Sequence, residues 1–342
     1  MNIYRILHLV ASRRIPASVK LLGLCMMHLV GRRTIGIFMD PVLSCNLRCR
    51  MCYFSDAEKR KSMHGMITGS RLDAVARALY PRALKLQIGC GAEPTLYRNL
   101  AGIVRQGHAY GIPYISLTTN GQLIASGYVS LIDLVRAGLN EITVSVHGTS
   151  RKIYEEMMPG ATFDRLSGLI DCLIDVKSEF PGFKIRINYT VNSMNMYDLQ
   201  GDCFWTLWKG LELDIVQLRP VQDMGRTDWN DFDMVSLKEN YDSTIGNIIR
   251  GCKERGITCI APGREQLDEV ATLQDGVSSV IEDITYCYVS PEECYKSDFN
   301  PDNDTYESYH RRNATAIKLL KSVWSRKERM RNASKKLNYD VK

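Results

Sequence analysis

The 342-residue chain predicts an α/β fold: a partial (β/α)6 barrel of the TIM type, preceded by a helical arm and followed by a C-terminal extension. Three observations predict it. Apolar runs of strand length alternate six times with segments of helical period. The strand starts fall roughly 27 to 49 residues apart, the interval of a βαβ unit with its crossover helix. The polar and cysteine residues gather just after the strands, at one end of every unit.

The arm, residues 1–34, places Ile3, Ile6, Leu7 and Val10 at helical spacing beside Arg5, and a second apolar helix follows Pro16. The first strand lies within 35–43 and runs straight into a cysteine loop. A helix over 71–79 leads to a strand at 84–88, and a helix over 97–108 leads to a strand at 114–117. A helix near 128–137 precedes an alternating strand at 141–146. The next helix, 163–177, precedes a strand at 184–191 in which Ile185, Ile187 and Tyr189 alternate. After a helix beyond Tyr197 comes a sixth strand at 214–218, and one helix is expected across 235–254. Residues 35–225 are thus the barrel, 226–305 its last helix and a C-terminal region, and 306–342 a basic helix and tail.

Repeated βαβ units fit either a doubly wound sheet or a barrel. The strand ends favour the barrel, whose chemistry sits on the loops at the C-terminal mouth. The cysteines follow strand one, and Glu93 follows strand two within Gly89-Cys90-Gly91-Ala92-Glu93-Pro94. Thr118-Thr119-Asn120-Gly121 closes strand three, and Ser145-Val146-His147-Gly148 closes strand four. Asn188 and Asn192 lie near the end of strand five, and Arg219-Pro220 follows strand six. One such corner is ordinary turn chemistry. Six in order, all at one end, are not.

Cys45, Cys49 and Cys52 fall within eight residues. Three thiolates at this spacing hold three corners of a [4Fe-4S] cube and leave one iron open to bind a small molecule. The alternative is a structural zinc site with a fourth ligand from elsewhere. Zinc sites usually pair two C-x(2–4)-C units, and no second unit of that kind occurs, so the spacing favours the cluster. Eleven cysteines, an odd number, are too sparse for a disulfide scaffold and indicate a reducing compartment.

With these residues in view, the chain resembles the radical S-adenosylmethionine (radical SAM) enzymes. The resemblance covers about residues 35–225 and rests on the C-x3-C-x2-C loop, the GGEP-like segment and the TTNG segment in that order. It implies a six-stranded partial barrel with a [4Fe-4S] cluster whose open iron chelates SAM. An electron then splits SAM into methionine and a 5′-deoxyadenosyl radical, which takes hydrogen from the substrate. Cys45, Cys49 and Cys52 would ligate the cluster, and Gly91, Ala92 and Glu93 would meet the SAM ammonium. Thr119 and Asn120 would lie near the aminoacyl group, Ser145 near the ribose or carboxylate, and Asn192 near the nucleoside. Arg219 would pair with a carboxylate or support the barrel, and His147 would line the substrate pocket or make a structural hydrogen bond. Two positions depart from the family pattern. Met51 replaces an aromatic residue near the adenine, and Ala92 replaces the second glycine, which demands an ordinary L-residue backbone there. A reducing protein such as flavodoxin or ferredoxin is the implied electron donor.

Some relatives add a cysteine-rich SPASM domain, or its shortened twitch form, with auxiliary clusters. Here Cys252 and Cys259 read as packing residues, while Cys287 and Cys294 are the candidates for a second iron–sulfur cluster. Charge is uneven: the arm carries +6 before its first acid, Asp40, and residues 311–342 carry +9, leaving −9 on the body. The basic ends are solvated helix faces or contacts for an anionic partner or membrane surface. No run approaches the ~20 apolar residues of a membrane span. The first residues lack a signal-peptide pattern, so a cytoplasmic protein is expected. Three functions compete: a radical SAM enzyme acting on a peptide, protein or metabolite; one acting on an anionic macromolecule or lipid-linked substrate; and a zinc-stabilised binding protein without catalysis.

Overall fold

Alternation along the strands decides which face meets the helices. The computed structural model describes residues 16–222, 227, 233–267, 280–325 and 340–341. Its first six strands are β1 (Ile35–Met39), β2 (Ala83–Ile88), β3 (Ile115–Thr119), β4 (Glu141–Ser145), β5 (Lys184–Val191) and β6 (Ile215–Pro220). Ile37, Leu86, Leu117, Val144, Ile187 and Leu218 lie on the buried face, in one continuous core with the helices. Successive side chains point to opposite sides of a sheet, so the other face carries Gln87, Ser116, Thr143, Arg186, Asn188 and Gln217. That inner face is polar and cross-linked. Arg186 pairs with the buried Glu141 at 2.8 Å. Lys85 donates to Gln87 at 2.9 Å.

All six expected strands are present, and the parallel sheet extends beyond them. Its order is β8-β1-β2-β3-β4-β5-β6-β7-β9, with β7 (Thr258–Ala261), β8 (Tyr286–Val289) and the two-residue β9 (Asp340–Val341). Every neighbouring pair is parallel except β7 with β9. The sheet is therefore an open, eight-stranded parallel array with β8 and β9 at its edges. Strand β8 comes from the C-terminal region and pairs with β1, Gly36 opposite Tyr286 and Met39 opposite Val289.

The helices follow the expected order. Among them, Gly69–Leu79, Leu100–Ala109, Leu131–Arg136 and Phe163–Glu179 bury their apolar stripes on the sheet. The single helix expected across 235–254 is two, Met234–Glu239 and Ile245–Glu254. Asn240 ends the first: its amide donates back to the Ser236 carbonyl at 2.9 Å, competing with the helical ladder. The apolar helix after Pro16 is Ala17–Leu29. The helix expected around Ile3 to Val10 lies outside the described residues. Among the described residues no helix is long and apolar enough to cross a membrane.

A buried aromatic and histidine cluster ties the arm to the C-terminal helices. Arg82 donates to the His28 carbonyl at 3.2 Å, pairs with Glu307 at 3.1 Å and lies over the Tyr306 ring. His310 Nε2 meets the Tyr295 hydroxyl at 2.6 Å, and its Nδ1 meets the Thr315 hydroxyl at 2.8 Å. Burial pushes the His310 imidazole down to about 3, and that of His147 down to about 4. Both are neutral in the folded chain at pH 5, whereas an unfolded histidine titrates near 6.5. Below that value the unfolded chain takes up protons that the folded chain refuses. Stability that is fully present above pH 6.5 is therefore lost as the pH falls, by about 1.4 kcal/mol per unit for each histidine. Urea unfolding at pH 7.5, 6 and 5 is expected to show this slope, and His310→Gln to flatten it. An unchanged slope in that variant would contradict the assignment.

Candidate active site

The loop after β1 is fixed by three backbone hydrogen bonds to two other segments. Leu43 N donates to Gly65 O at 3.0 Å, Arg48 N to Pro159 O at 2.9 Å, and Arg50 N to Met157 O at 3.1 Å. This seats Cys45, Cys49 and Cys52 together, each partly exposed. Burial raises all three thiols, Cys45 to about 12, and the neighbouring sulfurs raise Cys45 and Cys49 further. Iron that binds here must displace those protons, as metal ligation by cysteine generally does. Among the described residues no three His, Cys, Asp or Glu side chains converge as they would on a single metal ion. A cube takes one thiolate per iron, so its ligands need not converge.

The other strand-end loops are bound to this one. Glu93 N donates to Ser44 O at 2.9 Å, and the Asn120 amide donates to Asn46 Oδ1 at 2.8 Å. Glu93 itself is only 3% exposed. Its carboxylate accepts from the Thr95 hydroxyl, from Thr95 N at 3.1 Å, from the Thr119 hydroxyl at 2.6 Å and from Asn120 N at 2.9 Å. Burial raises its pKa, and those donors oppose the shift. The acid that the resemblance assigns to the SAM ammonium is thus held by donors of its own chain. A buried carboxylate must satisfy its lone pairs internally, and Glu93 does so by pinning β2's loop to β3's. Gly121 completes that corner with φ +74°, and an added Cβ would collide with Leu169. Ala92 is not among the residues with positive φ and keeps the ordinary backbone expected of it.

Sequence reasoning missed Asp40, the residue that organises the GGEP-like segment. It is 1% exposed and accepts from Cys90 N at 2.8 Å, Gly91 N at 3.0 Å and Ala92 N at 3.4 Å. It also accepts from the Tyr288 hydroxyl at 2.9 Å. Tyr53 closes the same loop, donating to Gly91 O at 2.5 Å. The signal was present: Asp40 is the first acid of the chain and stands directly after an apolar strand. Met51, expected near an adenine, is buried in the main core.

The far side of the mouth is built by β4 and β5. Ser145 stands opposite Asn188 in register. His147 accepts from Thr190 N on Nδ1 at 3.1 Å, which makes it a structural tie between the two strand ends. Asn195 adds a second tie, donating to the carbonyls of His147 and Thr190. Asn192 is buried; its oxygen accepts from Met194 N and Asn195 N while its amide nitrogen finds no partner. Asn188 Oδ1 and Ser193 Oγ are also buried and unpartnered. Orphaned polar atoms at a strand end suit a polar ligand such as the nucleoside. Arg219 is exposed at the end of β6 and, with the Gln217 amide turned, donates to it at 2.9 and 3.0 Å.

The auxiliary candidates lie elsewhere. Cys287 is buried within β8, and Cys294 is buried beside it in a bridge with Val289. Cys252 and Cys259 share a hydrogen bond in the core.

An open parallel barrel with three thiols after its first strand, laced to the next two strand ends, defines an iron–sulfur radical enzyme core. Residues 40–187 match the family model of the radical SAM superfamily. A probable GTP 3′,8-cyclase of Metallosphaera sedula is 30% identical over 185 residues, 54% of this chain and 55% of that one. A second, of Saccharolobus islandicus, is 29% identical over 200 residues, 58% of this chain and 61% of that one. The chain thus spans little more than half the length of the curated relatives it matches. Among solved structures, Streptococcus suis SuiB bound to S-adenosylmethionine has a TM-score of 0.54 at 15% identity, over 85% of this chain and 67% of that one. The superfamily's cofactors are a [4Fe-4S] cluster and SAM, and the thiol set and unpartnered polar atoms described above fit them.

Proposed function

We propose that this protein is a radical SAM enzyme that removes a hydrogen atom from a polar substrate held over the inner face of the sheet. The observation that carries this reading is the lacing of the three-thiol loop to the Glu93 and Asn120 corners. When bound, the cluster supplies the electron for reductive cleavage of a carbon–sulfur bond in SAM. The chain's own residues do the rest. Cys45, Cys49 and Cys52 hold the iron, and the backbone of Gly91 and Ala92, set by Asp40, meets the aminoacyl end of SAM. Ser145, Asn188 and Asn192 meet its nucleoside. Thr119 and Asn120 act through Glu93 to keep these loops at a fixed spacing, which matters because a radical reacts with whatever it touches.

The inner face supports a substrate with an anionic group. Among the described residues of strands β1–β6, Lys85, Arg186 and Arg219 stand there with one acid, Glu141, and burial brings the Lys85 ammonium down to about 8. The relatives' description as probable GTP 3′,8-cyclases makes GTP the first such compound to test. A cytoplasmic location and a flavodoxin or ferredoxin as electron donor complete the proposal.

The test is anaerobic reconstitution with iron and sulfide, reduction with dithionite, and assay for 5′-deoxyadenosine with SAM, alone and with GTP. We expect about four irons per chain, one cube's worth, and release of 5′-deoxyadenosine. A count of about eight would instead give Cys287 and Cys294 a cluster of their own. Zinc in place of iron would return the chain to a binding role.

A further inference from the structure

Two helices that no catalytic residue occupies carry an unusual outer face. Helices Ala17–Leu29 and Thr315–Trp324 pack side by side, meeting at Cys25 and Leu319 over Ile284. Their inner sides account for Leu21, Cys25, Leu319 and Val323, all buried. Their outer sides leave Val19, Leu22, Met26 (60% exposed) and Val30 (68%) from the first helix in solvent. From the second come Ile317, Leu320 and Trp324 (74%). A helix that is apolar all round is normally enclosed on every side. Large contiguous apolar patches on a protein surface mark a contact site.

The charge around this face says what the contact is. Neither helix contains an acid. Lys318 and Lys321 flank the apolar stripe of the second helix and are exposed, and Arg311 and Arg32 are exposed near the helix ends. Along the sequence, Arg5, Arg13 and Arg14 come before the first helix, and Arg326, Lys327, Arg329 and Arg331, with Glu328 the one acid among them, come after the second. A polyanion alone would explain the cations and leave the apolar side chains without a role. An apolar protein partner would leave the one-signed charge without a role. A surface that is anionic outside and apolar just beneath uses both, with lysine stems reaching outward and tryptophan at the boundary.

We propose that this face docks the protein on an anionic lipid bilayer, lying in the interface rather than crossing it. The proposal does not depend on the catalytic reading, and its test uses no activity. Full-length protein is sedimented with vesicles of phosphatidylcholine alone and of phosphatidylcholine with phosphatidylglycerol in equal parts. Binding to the anionic vesicles is expected to exceed binding to the neutral ones by about tenfold and to fall with added salt. Met26→Glu/Trp324→Glu should reduce it at least about tenfold, since charges are placed where apolar groups must enter. Lys318→Glu/Lys321→Glu should weaken it on anionic vesicles alone. Circular dichroism and thermal unfolding of both variants should match the parent, because every substituted side chain is exposed. No binding to anionic vesicles, or binding indifferent to the Met26 and Trp324 changes, would overturn the proposal. So would a dimer in light scattering that these changes dissolve while vesicles are ignored, because a second copy would then own the face. Binding that emerges only after deletion of residues 1–15 would also overturn it, by assigning the face to that segment.

Discussion

Cys49→Ala is expected to give a folded protein that retains well under half the iron of the parent and releases no measurable 5′-deoxyadenosine. The loop around Cys49 is held by the backbone bonds of Leu43, Arg48, Arg50 and Glu93, none of which involves a thiol. Loss of one sulfur therefore leaves the loop in place and removes a ligand. Loss of a group that merely orients a metal ligand typically costs 10- to 100-fold, and loss of the ligand itself should exceed about 100-fold. Iron and sulfide content, the visible absorption of the reconstituted protein and its urea midpoint separate the two effects. Full iron loading in Cys49→Ala would refute the cluster assignment. A collapsed urea midpoint would instead show that the thiol supports the fold.

Asp40→Asn is the second large effect expected. The carboxylate gathers the N–H groups of Cys90, Gly91 and Ala92 and the Tyr288 hydroxyl while almost wholly buried. An amide has the same shape but turns two hydrogens toward a cradle made only of donors. Buried donors left unpaired cost about 1–3 kcal/mol, more where a charge had satisfied them, so a loss of about 2–3 kcal/mol is expected. The Cys90–Ala92 backbone would then relax, weakening SAM by an expected tenfold or more while the iron content holds. Equilibrium dialysis with SAM and urea unfolding measure the two losses independently. Unchanged SAM affinity in a destabilised variant would leave Asp40 as a support of the fold alone.

Much of the frame is legible in the order of residues along the chain. The strand expected at 184–191 falls on β5 itself, and the other five barrel strands overlap their expected positions. The cysteine loop, the TTNG corner and the polar strand ends do lie together, because a parallel sheet brings all its strand ends to one side. The features that periodicity and spacing do not reveal are long-range. Strand β8 is four residues, Tyr286–Val289, too short to declare a period, and its partner β1 lies about 250 residues earlier. The role of Asp40 is hidden for the same reason, since a carboxylate's partners are fixed by space and not by spacing. Glu93 stands out in the sequence as a key acid, but its hydrogen bonds to Thr95, Thr119 and Asn120 do not. Its carboxylate holds two loops together through Thr119 and Asn120, a tie that spacing alone does not reveal. Cys287 and Cys294, the auxiliary candidates by spacing, are both buried, at β8 and its bridge.

The position of β8 has a consequence for how the protein is made. During synthesis the six strands β1–β6 emerge first, and at that stage β1 is an edge with its outer hydrogen-bonding groups unpaired. Asp40 N and the Asp40 carboxylate wait for Val289 O and the Tyr288 hydroxyl, the latter 248 residues away. Contacts this distant form late, and exposed strand edges invite association with other chains. The strand that finishes the sheet therefore also finishes the loop that positions the cofactor. A nascent chain stalled before Tyr286 would present a nearly complete barrel with an open seam beside its cysteine loop, and full assembly of the centre would follow release of the C-terminal region from the ribosome.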